Sequence, residues 1–242
     1  MEREKTHGIV LGMIPYNDKT SFVHIYTDHF GPVTYSIANT RSKRAKLPRS
    51  LFVPFSVLEM EVEHYPSRDI QKIAEARTAS LHYNIYNDPI KNAIVLFLAE
   101  FLQKVIREHE PNIPLYHFIA DSIDLLDLID EGKGNFHLVF MFRIAEFLGF
   151  RLNKESFKEG YYFDLMDASF YQAQPSHPWF IGKEDSLIWH KAMETHFSNL
   201  TQLAINRHQR NLLLEKIIMY FKLHIPDIKE FKSLDILKML FS

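Results

Sequence analysis

The spacing of apolar residues changes once along this chain, near residue 80, and that change limits what it can fold into. Upstream, the run Val57–His64 sets Leu58, Met60 and Val62 in alternation with Glu59, Glu61 and Glu63. A period of two puts apolar side chains on one face and carboxylates on the other, as a half-buried antiparallel strand requires. His7–Ile14, Ser21–Thr27 and Val33–Ala38 have the same strand character, punctuated by Pro15-Tyr16-Asn17-Asp18 and Gly31-Pro32. Ile70–Ala76 reads as a fifth strand or as the start of a helix. Downstream, Ile94, Leu98, Phe101, Leu102 and Val105 fall at helical spacing. Further helices are expected at about 114–129, 136–148, 186–205, 209–223 and 233–241, with 153–180 irregular. The expected fold class is α+β. An OB-fold β-barrel over residues 1–79 is followed by an all-α domain over 80–242.

The chain has no cysteine, which excludes disulfides and every zinc site built on thiolates. Its N-terminus, MEREKTHGIVLGMI, lacks a secretory apolar core, and no run approaches the roughly 18 apolar residues of a membrane span. A soluble cytoplasmic protein with no membrane contact is expected. Walker A, GxSxG, GxGxxG and HExxH patterns are absent. His190 and His196 are not at i, i+4 spacing. Asp121, Asp124, Asp127 and Asp130 recur every third residue and read as a solvated helix face rather than a cation site. Glu184-Asp185 reads as charge on a helix N-terminus. No catalytic residue, metal or cofactor is expected.

The net charge of −2 argues neither for nor against a polyanionic partner; the distribution of charge says more. Arg41, Lys43, Arg44, Lys46 and Arg49 put five cations and no anion into nine residues between two strands. Charges so crowded repel one another unless an anion relieves them, and phosphate suits both Arg and Lys. Aromatic residues are near: Tyr16, Phe22, Tyr26, Phe30 and Tyr35. Alternation sets Phe22 and Tyr26 on one strand face and Val23 and Ile25 on the other without saying which points inward. Tyr16 and Tyr35 are the expected exposed rings. Cations that track a backbone and rings that stack bases are how an OB barrel holds a single strand. A basic loop that is merely solvated, with aromatics that are merely core, is the competing interpretation.

One family shares this order of elements. Gly8-Ile9-Val10-Leu11, Tyr16, Thr20-Ser21, Tyr26-Thr27 and Phe30-Gly31-Pro32-Val33 resemble the start of RecO proteins. The resemblance continues through Ala38, the basic loop and Leu51–Leu58 with its Pro54-Phe55 pair. It resumes at Phe147-Leu148-Gly149-Phe150 and again from Tyr220 to His224 and at Lys232-Ser233. It implies a nucleoid-associated repair and recombination mediator that binds and anneals single-stranded DNA. The implied partners are RecR and the C-terminal tail of the single-strand-binding protein SSB, with RecA loaded indirectly. Arg207, Arg210 and Lys216 are then candidates for contact with DNA or with the acidic SSB tail. Two departures stand out. The four-cysteine zinc module of many RecO proteins has no counterpart in 153–180, and Asn39-Thr40 replaces the glycine that commonly precedes the basic loop. A protein-docking adaptor and an RNA-binding OB module are the alternative functions.

Overall fold

The computed structural model describes residues 3–39 and 46–240. The chain divides into two compact units, Met1–Leu128 and Ile129–Ser242.

The first unit begins with five strands: β1 (Glu4–Pro15), β2 (Thr20–Thr27), β3 (Gly31–Ala38), β4 (Val57–Glu63) and β5 (Ile70–Thr78). They close into a barrel in the order β1-β2-β3-β5-β4, the expected OB arrangement. β1 is long enough to serve two neighbours, pairing with β4 from Glu4 to Ile9 and with β2 from Gly8 to Pro15. A bulge between Val10 and Gly12 bends it from one partner to the other. β3 and β5 run parallel; the other pairs are antiparallel. The inward faces of the strands supply Val10, Val23, Ile25, Tyr35, Ile37, Leu58, Met60, Val62 and Ile73, and Phe52 closes the core. Ile70–Ala76 is thus strand, not helix.

The Pro54-Phe55 element has a structural role. Phe55 N–H donates to Val10 O at 2.7 Å and Val10 N–H to Ser56 O at 2.9 Å, which ties the segment before β4 to the bulge of β1. The turn between β2 and β3 is equally specified. Buried Thr27 accepts from Phe30 N–H and donates to Gly31 O, both at 2.9 Å. Gly31 itself has φ +67°.

Three helices share this unit with the barrel: α1 (Tyr83–Asn87), α2 (Pro89–Val105) and α3 (Ile113–Leu128). Asp88 caps α2, accepting from Ile90 N–H and Lys91 N–H ahead of Pro89 at the first helical position. α2 buries Ile94, Phe97, Leu98, Phe101 and Leu102 and lies against β1. The period therefore changes at about residue 80, as expected, while compactness divides the chain at 128/129.

In the second unit, α4 (Phe136–Phe147), α5 (Lys183–Glu194), α6 (Arg207–His224) and α7 (Leu234–Leu240) are joined by three short strands, β6 (Tyr162–Asp164), β7 (Ser169–Tyr171) and β8 (Phe180–Ile181). This sheet, ordered β7-β6-β8, adds strand to a domain expected to be all-α. It occupies the segment where the zinc module would lie. Buried Asp164 anchors it, accepting from Met166 N–H and Asp167 N–H on one oxygen and meeting His177 Nε2 at 3.0 Å with the other. The expected helix at 186–205 stops at Glu194, and residues 197–202 form a 3-10 turn instead. α4 ends on Gly149 at φ +79°, with Phe150 N–H donating back to Ala145 O at 2.9 Å. That is a glycine C-cap of the Schellman kind, and it lays Phe150 against Tyr220 and Phe221.

Candidate nucleic-acid interface

The tip of the β1–β2 hairpin is a tight turn held by Asn17, whose side-chain oxygen accepts from Lys19 N–H and Thr20 N–H at 2.9 Å. The turn leaves Tyr16 66% exposed. Alternation along β2 sends Val23 and Ile25 inward and Phe22 and His24 outward. The Phe22 ring lies 4.6 Å from that of Tyr16, a two-ring surface outside the barrel, with exposed Ile14 opposite Phe22 in the ladder. Farther along, His24 Nδ1 meets Thr34 Oγ1 at 3.0 Å. Partial burial lowers the His24 pKa. On β3 and β5 the same face carries Ser36 and exposed Lys72, which are partners in the parallel ladder. Exposed Arg68 stacks 4.3 Å above the Tyr65 ring.

One expectation about rings needs revision, and one open face is decided. Tyr35 is 0% exposed: it shares parity with Ile37 and points into the barrel, where desolvation raises the pKa of its phenol. It is core and not a stacking surface. Tyr26 has the outward parity of Phe22 but is covered, with its hydroxyl donating to Asn112 O at 3.4 Å and its ring stacked on Tyr116.

Asn39 follows β3, and this residue ties the end of that strand to the hairpin tip. Asn39 N–H donates to Lys19 O at 2.7 Å, Asn39 Nδ2 donates to Asn17 O at 2.8 Å, and Ser21 Oγ donates to Asn39 Oδ1. A glycine here would lack the two side-chain bonds. Arg41, Lys43 and Arg44 lie outside the described residues. Lys46 is exposed, with its ammonium 3.0 Å from Glu75, and that contact holds the Glu75 carboxyl below its ordinary pKa. Arg49 is exposed at the start of the 3-10 turn that carries Phe52 into the core.

The barrel face built on β4 and β5 has the other sign, and Lys46 borders it through Glu75. β4 presents Glu59, Glu61 and Glu63 outward. An open groove of about 680 Å³ there is lined by Lys5, His7, Asp28, Glu59, Glu75 and Arg77 among others. Arg77 donates to Glu59, and His7 Nδ1 meets Asp28 at 3.0 Å. A polyanion would be repelled by the carboxylates of β4 and drawn towards the hairpin and loop.

In the second unit the three candidate cations separate. Arg207 is exposed at the start of α6. Arg210 is turned inward, its Nε donating to Asn135 Oδ1 at 3.1 Å, while Asn135 Nδ2 donates to Leu200 O and Leu203 O. Lys216 donates to Phe180 O at 2.9 Å. Arg210 and Lys216 thus hold their own unit together, a role that charge patterning along a helix does not reveal.

His190 stacks on Phe157 at 4.1 Å, and His196 caps the 3-10 turn at 197–202. Among the described residues no three His, Asp or Glu side chains are grouped to hold a metal ion. Asp124 and Asp127 are not idle surface: the first meets His82 at 2.7 Å, and the second accepts from Ile85 N–H at 2.9 Å. No described helix is long and apolar enough to cross a membrane.

Residues 1–82 match the family described as "Recombination protein O N terminal", and residues 86–156 match "Recombination protein O C terminal". The chain is 39% identical to "DNA repair protein RecO" of Azobacteroides pseudotrichonymphae over 98% of both chains. It is 36% identical to the protein of the same name from Phocaeicola vulgatus over 99% of both. It is 37% identical to that of Bacteroides fragilis over 98% of this chain and 99% of the relative.

Proposed function

The chain belongs to the RecO family, and on that premise we propose that it is a DNA repair and recombination mediator that binds and anneals single-stranded DNA through its barrel. With RecR it then helps load RecA onto DNA coated by SSB. The observation that carries this reading is the Asn39 linkage, which sets the Tyr16–Phe22 rings beside the root of the basic loop. A strand crossing that end of the barrel meets cations for its phosphates and rings for its bases. Annealing follows when the cations screen two strands at once and lower their mutual repulsion. It needs no acid, base or nucleophile. Arg207 is the candidate cation that remains exposed for the acidic SSB tail.

Binding of labelled oligonucleotides of one length as single-stranded DNA, duplex DNA and RNA tests the proposal. Single-stranded DNA is expected to bind most tightly, and complementary strands to anneal faster with the protein than without it. Equally negligible binding to all three would favour an adaptor, and a strong preference for RNA would favour an RNA-binding module.

Tyr16→Ala isolates the stacking contribution. Its exposure predicts an unchanged melting temperature. A single-strand affinity lower by roughly tenfold is expected, within the ~1–3 kcal/mol typical of one stacked base. Unchanged affinity in an anisotropy titration would remove Tyr16 from the binding surface.

A further inference from the structure

The first unit displays apolar side chains at a second place, away from the barrel rings. Leu81 is 63% exposed, Tyr83 66% and Leu128 75%, with Tyr86 also exposed. Polar contacts hold α1 and the residues before it against α3, the elements that carry or flank these side chains. His82, buried between two of them in sequence, meets Asp124 at 2.7 Å. Asp127, next to Leu128, accepts from Ile85 N–H and from Asn84 Nδ2. Lys91 donates to Asp127 O at 2.8 Å, and Tyr86 OH donates to Pro54 O at 3.4 Å. A segment pinned in this way holds its outward side chains in place before any partner arrives, which lowers the entropy cost of binding. Tyrosine and aliphatic side chains exposed together on a fixed backbone are the composition of a protein interface core.

The charge around the patch selects the partner. Residues 78–90 and 108–128 contain no Lys or Arg, the neighbouring Lys91 is buried, and Asp121 and Asp124 are exposed on α3. Nucleic acid is disfavoured there by sign. We infer that α1 and the acidic edge of α3 form a docking surface for a basic protein segment. Its Lys or Arg side chains meet Asp121 and Asp124, and an apolar side chain seats against Leu81, Tyr83 and Leu128. This inference does not rest on the proposed DNA site.

A fluorescent Lys/Leu peptide of about 18 residues, patterned as an amphipathic helix, is a suitable probe. Two controls accompany it, one with Glu for Lys and one with Ser for Leu. The full-length protein is expected to bind the Lys/Leu peptide saturably and about tenfold more tightly than either control. Y83S/L128S and, separately, D121K are each expected to weaken that binding about tenfold while leaving the melting temperature and single-strand affinity unchanged. Binding that is equal in the variants would overturn the inference. So would equal binding of the Lys/Ser peptide, which would reduce the site to unspecific charge. A wild-type dimer in sedimentation that Y83S/L128S converts to monomer would also overturn it, since a second copy would then be the occupant.

Discussion

Replacing Gly31 by Ala should destabilise the first unit by about 2–4 kcal/mol, from the strain of a left-handed Ala together with the cost of overpacking. Gly31 has φ +67°, where a β-carbon is disfavoured. That carbon would also lie 2.7 Å from Glu110 O and 3.0 Å from His109 O. Backbone carbonyls cannot rotate away as a side-chain tip can, so the turn or residues 109–110 must shift. A melting temperature lower by roughly 10 °C is expected for the unit's transition, given its size. Gly149→Ala is the control. Gly149 has φ +79°, but a methyl group added there would meet nothing within 4 Å, so only the conformational strain applies, about 1–2 kcal/mol. Equal losses for the two variants, read by urea denaturation, would show that the contact with Glu110 is not a constraint.

The second large effect concerns the loop. K43A/R44A/K46A should lower single-strand affinity by roughly thirtyfold at 0.15 M salt, about 2 kcal/mol from the counterions no longer released. The three contributions should be unequal. Lys46 already has Glu75 at 3.0 Å and must exchange that carboxylate for a phosphate, so K46A alone should cost less than K43A or R44A alone. The melting temperature should hardly move, because an exposed pair such as Lys46–Glu75 contributes little to stability. Equal affinity for the triple variant and the parent would place the DNA elsewhere on the protein.

Much of the barrel is legible because its strands obey a period of two; the alternating glutamates place β4 to within a residue. What alternation alone does not supply is the inward parity of β2 and β3. Tyr35 therefore reads as exposed in the sequence, and Phe22 is decided only by the closed sheet, which puts Val23, Ile25 and Ile37 inside. The β6–β8 sheet is invisible in the sequence because strands of two or three residues carry no measurable period. α5 reads too long because residues 197–202 continue in a 3-10 turn with the apolar spacing of a helix. Positive charge on α6 marks Arg207, Arg210 and Lys216 alike. Only the folded chain separates Arg210 and Lys216, which serve Asn135 and Phe180 O, from Arg207, which remains exposed. Asn39 reads as the loss of a glycine; its side chain instead makes the bonds that join the end of β3 to the β1–β2 hairpin.

The central claim is that the cations of the loop exist to meet phosphate. Its most direct test is the salt dependence of single-strand affinity, measured side by side for the parent protein and for K43A/R44A/K46A. About four phosphate contacts predict a log–log slope near −3 for the parent, and loss of three should bring it to about −1. Parallel lines of equal slope would contradict the account.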